Sequence, residues 1–144
     1  MRGIRTREVS WNCHDRALSS LRRTVFVDEQ GVSEDEEWDG ADPDCRHFLA
    51  EDGDGVPIGT ARLMPTGQIG RMAVLRAWRG QGIGARLLEL AVDAARAANQ
   101  SVFLHAQSHA VGFYERAGFR VTGRPFMEAG IEHREMTLAA ELSD

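Results

Sequence analysis

The sequence lacks most of what would commit it to a membrane, an oxidising compartment or a nucleic acid. No apolar run approaches the roughly 18 residues that a spanning helix requires. The first residues, Met1-Arg2-Gly3-Ile4-Arg5, contain no apolar stretch of the kind that opens a signal peptide, so the expected location is cytoplasmic. Cysteine occurs only as Cys13 and Cys45, outside any Cys-x-x-Cys pair, and two reduced thiols are expected. Basic residues are outnumbered 17 to 22 by acidic ones, a net charge of −5 that argues against a general role on nucleic acid. No repeat or low-complexity linker divides the chain, so residues 1–144 read as one domain, long enough to bury a core without staples.

What is present is a regular alternation of apolar patterns. Ile4 to Val9 reads as a strand, and His14 to about Val25 as a helix with Ala17, Leu18, Leu21 and Val25 on one face and Asn12 as its cap. Gln30 to Asp44 is polar and reads as loop. His47–Glu51 and Ile58–Met64 flank Asp52-Gly53-Asp54-Gly55, which predicts an antiparallel hairpin. Gln68–Val74 is a further strand. Gly82–Asn99 is the strongest helix, because Ile83, Leu87, Leu90, Ala91, Ala94 and Ala98 keep the helical period. Val102–His105 follows as a strand and Ala110–Ala117 as a short helix stopped at Gly118. Phe119–Gly123 and His133–Leu138 complete the set. The order β-α-β-β-β-α-β-α-β-β predicts a mixed α/β fold, antiparallel at first, with one crossover helix joining two parallel strands.

Between the strand ending Met72-Ala73-Val74 and the strong helix lies Arg79-Gly80-Gln81-Gly82-Ile83-Gly84, followed by Ala85. Glycines at a helix start let an anion reach the unpaired N–H groups of the first turn, where the helix dipole also favours negative charge. Arg79 can add a charge-assisted bond. The same glycines would also serve a loop that needs only positive φ or close packing. Gly80-x-Gly82-x-x-Ala85 satisfies a dinucleotide fingerprint too, but the next strand ends His105-Ala106-Gln107 without the acid that would hold a ribose. No Gly-Lys-Ser/Thr triplet occurs, which removes the P-loop reading.

Arg-x-x-Gly-x-Gly after a strand resembles the acetyl-CoA motif of the GNAT N-acetyltransferase superfamily. Gln107-x-x-Ala110-x-x-x-Tyr114-x-x-x-Gly118-Phe119 is similar to its second motif. Val25–Val32 and Gly130-Ile131-Glu132-His133 resemble the ElaA/YjcF-like branch. The resemblance implies a central, mostly antiparallel sheet of six to seven strands, with splayed parallel central strands and flanking helices. It implies acetyl-CoA as co-substrate, with backbone groups of Met72, Ala73 and Val74 on the pantetheine. Arg79, Gly80, Gln81, Gly82, Ile83, Gly84 and Ala85 would hold the pyrophosphate, and Gln107 would stand where the family often has Asn. It makes Tyr114, the only tyrosine, the proton donor to the departing CoA thiolate. The implied acceptor is a primary amine on a small molecule or peptide, attacking directly in a ternary complex, with no nucleic acid, membrane or metal involved. A homodimer is left open, and the alternative in another class is a non-catalytic acyl-CoA sensor.

Some relatives place a basic carboxylate on the strand before the phosphate loop, but Gln68–Val74 supplies none. Candidate bases elsewhere are His133, Glu128, His47 and Glu29, of which His133 is preferred because the late strands line the acceptor side in this family. The stretch from Glu34 to Asp44 carries seven carboxylates, expected either as a solvated loop or as a field that draws in a cationic amine. His105-x-x-x-His109 has a zinc-like spacing but straddles a strand end and a helix start, so no metal site is expected.

Overall fold

A computed structural model describes residues 3–139 of the chain. Its strands are β1 (Arg5–Val9), β2 (Arg46–Glu51), β3 (Pro57–Leu63), β4 (Gln68–Val74), β5 (Phe103–Gln107), β6 (Phe119–Val121), β7 (Phe126–Glu128) and β8 (Ile131–Leu138). They form one eight-stranded sheet in the order β1-β2-β3-β4-β5-β8-β6, with β7 also paired to β8. All pairings are antiparallel except β4 with β5. The helices are α1 (Trp11–Arg22), α2 (Glu34–Glu37), α3 (Ile83–Ala97) and α4 (Val111–Arg116).

Helices α1 and α3 cover opposite faces. Side chains alternate across a strand, so β2 sends Phe48 and Ala50 to the α3 core and Leu49 to the α1 cluster with Val9, Leu18 and Leu21. The buried face of α3, with Ile83, Leu87, Leu88, Ala91, Val92 and Ala95, follows the period read from the sequence. Each large apolar side chain buried there contributes about 1.5–3 kcal/mol, which makes α3 the main fastening of its face.

Three expectations need correction. Helix α1 begins at Trp11, because the Ser10 hydroxyl accepts the Cys13 N–H at 3.3 Å, so Ser10 caps it while Asn12 lies inside the first turn. Beyond Arg22 the chain widens into a π-helical segment, Arg23–Glu29, instead of ending. Strand β7 was missed: three residues beside Pro125 are too few to show a period, and pairing with β8 alone defines it. The cysteines are free thiols, as expected. No helix among the described residues is long and apolar enough to cross a membrane.

Candidate active site

Strands β4 and β5 touch only at their beginnings, with Gln68 opposite Phe103 and Ile69 opposite Leu104. Beyond that the two strands are no longer paired, and a cleft of about 800 Å³ has residues of β4, β5, β7, β8, α4 and the π-helical segment along its walls. The separation begins at a β-bulge. Thr60 pairs with Ala73 and Arg62 with Gly70, so Arg71 and Met72 together face the single Ala61. Arg71 takes φ +48, a left-handed conformation costly for a residue with a Cβ.

The cleft joins the two faces of the sheet. Leu104, Ala106 and Met136 belong to the α3 core, and Met72 and Tyr114 pack against that same core. By alternation His105 and Gln107 point to the other face. His133, directly opposite Gln107 on β8, points there too. The opening therefore has Tyr114 on one side of the sheet and His133 on the other.

On the α3 side, Gly80 and Gly82 both have φ near +80, which only glycine adopts cheaply. Gly82 is the N-cap of α3 in left-handed conformation and supplies no side-chain cap. The first-turn N–H groups are thus presented by a bare backbone, a fit for an anion. A Cβ on Gly84 would meet Phe113 of α4 at 3.4 Å, an ordinary packing contact. Arg79, the residue expected at the pyrophosphate, has intramolecular partners. Its fork holds Glu29 at 2.6 and 2.8 Å and its Nε donates to the Val74 carbonyl at 2.9 Å, so its charge is engaged by a carboxylate. The Tyr114 hydroxyl donates to Met72 Sδ at 3.6 Å, a weak partner, and burial pushes the phenol up to about 12.

On the other side, His133 is buried, and its Nδ1 lies 2.7 Å from the Ile131 carbonyl. A carbonyl only accepts, so in the neutral ring the proton sits on Nδ1 and Nε2 carries the lone pair. That Nε2 is 3.8 Å from Glu128 Oε2, while Glu128 Oε1 accepts from His105 Nδ1 at 3.2 Å. Gln107 is engaged at both ends of its amide, donating to Gln30 at 2.8 Å and accepting from His109 Nε2 at 2.7 Å. His109 therefore turns to Gln107 and not to His105. Among the described residues no group of three or more metal-ligating side chains is assembled.

Two of the candidate bases fall away. His47 is buried beside Trp11 with Nε2 2.9 Å from the Asp42 carbonyl, and it is absent from the cleft lining. Burial also lowers its pKa. Glu29 lines the cleft, but the Arg79 fork holds its carboxyl below the usual range, which makes it a poor base.

The acidic stretch is divided: Glu34, Asp35, Glu36 and Asp44 are exposed, while Glu37, Asp39 and Asp42 are held by arginines. Every one of the 17 basic residues of the chain is arginine, and three of them absorb its central carboxylates. Buried Arg22 binds Glu37 Oε2 at 2.8 Å and Asp42 Oδ1 at 2.6 Å, and its guanidinium lies over the Trp38 ring. Arg62 bridges Asp39 at 2.8 Å and Asp42 at 3.1 Å, and Arg71 reaches Glu37 at 3.1 Å and Asp39 at 3.3 Å. Burial alone would raise Asp39. The Arg62 fork, the Ala41 N–H and the Arg71 charge outweigh it and hold the carboxyl well below the usual range. The spacing of these residues gave no signal, since the arginines come from α1, β3 and β4.

A splayed parallel pair beside a glycine-rich helix start is a specific architecture, and comparison with known proteins agrees. The profile of the acetyltransferase (GNAT) domain matches residues 19–140. The chain belongs to the GNAT acetyltransferase family. YjcF of Bacillus subtilis, described as an uncharacterized N-acetyltransferase, is 36% identical over 121 residues, which are 81% of this chain and 86% of YjcF. ElaA of Escherichia coli is 32% identical over 126 residues, 81% of this chain and 82% of ElaA. Its crystal structure has TM-score 0.83 at 28% identity, covering 94% of this chain and 99% of that one. An acyl-CoA N-acyltransferase from Pseudomonas aeruginosa has TM-score 0.82 at 32% identity, covering 95% of this chain and all (100%) of that one. The GNAT protein described here therefore falls in the ElaA/YjcF-like branch, and its family chemistry is acyl transfer.

Proposed function

We propose that this protein, as one GNAT domain over residues 1–144, transfers an acetyl group from acetyl-CoA to a primary amine by direct attack in a ternary complex. The observation that carries the reading is the cleft through the sheet, with Tyr114 on the α3 side and His133 on the other. Two substrates can then meet from opposite faces, and no covalent carrier is required. The coenzyme supplies the activated thioester. Backbone N–H groups from Gly80 to Ala85 receive its pyrophosphate, with Arg79 holding the loop by its bonds to Glu29 and Val74. The separated edge of β4 at Met72, Ala73 and Val74 faces the pantetheine arm, and Gln107 stands beside it on β5. Tyr114, protonated at neutral pH and held only by a thioether, is poised to give its proton to the leaving sulfur. His133 Nε2 is the base, fixed in tautomer by the Ile131 carbonyl.

The test is calorimetric titration with CoA together with chromatographic detection of CoA released from acetyl-CoA across a panel of amines. Tight CoA binding with amine-dependent release is expected. Binding without release for any amine would make the protein an acyl-CoA sensor. His133→Ala should abolish the acid limb of the pH–rate profile, and an unchanged profile would remove His133 as base. The chain contains no lysine, so no ε-amine of its own competes.

A further inference from the structure

We propose that Glu128 is the subsite for the acceptor's ammonium group, and that Glu128 and His133 together bind a cationic primary amine and remove its proton. This rests on the acyl-transfer reading and names its acceptor class. Glu128 ends β7 beside the Ala129–Gly130 turn, and its side chain is 48% exposed at the cleft wall. Its oxygens are differently engaged. Oε1 takes the N–H of His105 at 3.2 Å, while Oε2 stands 3.8 Å from the lone pair of His133 Nε2, too far for a hydrogen bond between them. An acceptor pair held at that spacing suits a third group that donates to both, and an ammonium carries the donors and the charge.

Both members of the pair are fixed from behind. His133 is bonded to the Ile131 carbonyl and stacked on Phe126 at 5.9 Å, and His105 meets the same Phe126 ring edge-on at 5.0 Å. The neighbouring charges do not cancel Glu128. His105 Nε2 lies 3.7 Å from Glu135, and the partners of Glu128 among the described residues are histidines, with no arginine. Three of the other carboxylates in the cleft have arginine partners, Glu29 with Arg79, and Glu37 and Asp39 with Arg22, Arg62 and Arg71, while Glu36 is exposed on α2 with one oxygen on the Ser33 hydroxyl. Of the two cleft carboxylates without an arginine partner among the described residues, Glu128 is the one that stands beside His133.

The step balances as follows. Glu128 Oε2 accepts one ammonium N–H, and His133 Nε2 takes the proton of another. The freed nitrogen lone pair forms the C–N bond at the thioester carbonyl as the C–S bond breaks, and the sulfur takes the Tyr114 proton. The surplus proton on nitrogen leaves on collapse and restores the phenol through solvent, and His133 returns its proton to solvent. The products are amide, CoA thiol and one proton. His105 is a positioning residue, since it touches Glu128 and not the substrate.

The experiment compares n-butylamine, cationic at neutral pH, with methoxyamine, which is already uncharged, in wild type and Glu128→Gln. With butylamine, kcat/KM should fall about 100-fold with a raised KM, and with methoxyamine by less than about 5-fold, because no ammonium has to be bound or deprotonated. Equal losses for both, or no loss, would overturn the assignment. His105→Leu should raise KM for butylamine several-fold, and His105→Gln, which keeps a donor to Glu128, should restore it. CoA affinity and Tm, measured alongside, should be unchanged in all three variants, and a loss in either would mark a structural defect and overturn the role. A second readout needs no turnover: in CoA-loaded protein, butylamine should shift the ring signals of His105 and His133 in wild type and not in Glu128→Gln. No shift in wild type would overturn the proposal even if acyl transfer to other amines stands. If CoA binds but no amine is acetylated, the acyl-transfer reading falls first and takes this one with it.

Discussion

At the α3 end of the cleft the groups proposed to bind the coenzyme are main-chain amides, presented by Gly80, Gly82 and one strongly periodic helix. At the other end the cleft is lined by side chains, with Glu128, His133, His105 and Arg71 drawn from β7, β8, β5 and β4, and Arg71 is held by Glu37 and Asp39. The backbone of the first end is one local stretch of chain, from Arg79 into α3, with Glu29 holding Arg79 from outside it. The second depends on pairings up to 77 residues apart, such as Gln30 with Gln107. A backbone site fits one shape of ligand group, here the proposed phosphate, and a side-chain site can change with its substrate. Variants that remove each kind of support should therefore behave differently.

The largest effect is expected from Arg22→Met. It removes a guanidinium that is 1% exposed and leaves Glu37 and Asp42 buried without their main partner. Breaking a buried pair from one side costs about 3–5 kcal/mol, to be read as a lower urea midpoint. A loss under about 1 kcal/mol would show that the network is solvated and adds little. Smaller in energy but confined to catalysis is Tyr114→Phe. Its kcat should drop about 100-fold while CoA affinity in calorimetry and the urea midpoint stay as in wild type. If affinity fell with kcat, Tyr114 would be a binding group and not the acid.

Much of the fold and the local elements at one end of the candidate site were legible in the sequence, for physical reasons. Helix α3, the β2–β3 hairpin and the glycine-rich start are local patterns, and Ile83 to Ala97 kept its period because one face packs on one core. Tyr114 followed from a motif whose spacing places it on α4. The other end was not legible. Nothing local says that Glu37 pairs with an arginine on α1, or that Glu29 captures the fork expected to hold phosphate. Strand β7 is too short to show alternation, and the His105–Glu128–His133 contact exists only once β7 lies on β8.

Acid should weaken the ion pairs of the whole fold, those of the acidic segment among them. Asp39, Asp42, Glu8, Glu29 and Glu51 all have carboxyls held below their usual values. Each folded-state pKa is depressed, so its contribution is complete above the unfolded value and lost as pH falls through the folded one. Tm should be flat from pH 7 to about 5 and decline below roughly pH 4. Several of these pairs are partly exposed, which keeps the decline shallow in salt. Asp39→Asn should lower Tm at pH 7, and its gap from wild type should narrow as pH falls toward 2. A constant gap would deny the Asp39 charge any part in it.

The smallest expected effect has the opposite sign. Two of the non-glycine residues with positive φ, Arg71 at +48° and Ala129 at +52°, line the cleft, and Ala129 directly follows the proposed subsite residue Glu128. A left-handed conformation costs a residue with a Cβ about 1–2 kcal/mol. Glycine at position 129 would relieve that cost but would lose more backbone freedom on folding, roughly 0.5–1 kcal/mol. It would also give up a methyl that packs with the cluster of Val25, Phe26 and Val32. The balance for Ala129→Gly is a stabilisation of about 0.5 kcal/mol, a small rise in Tm. Arg71 offers no such gain, because its side chain ties Glu37 and Asp39 to the bulge. If strain at Ala129 holds Glu128 at its distance from His133, the more stable variant should acetylate butylamine a few-fold more slowly. Equal rates would mean that the turn is strained for packing against the π-helical segment alone, and that Glu128 is held by His105 instead.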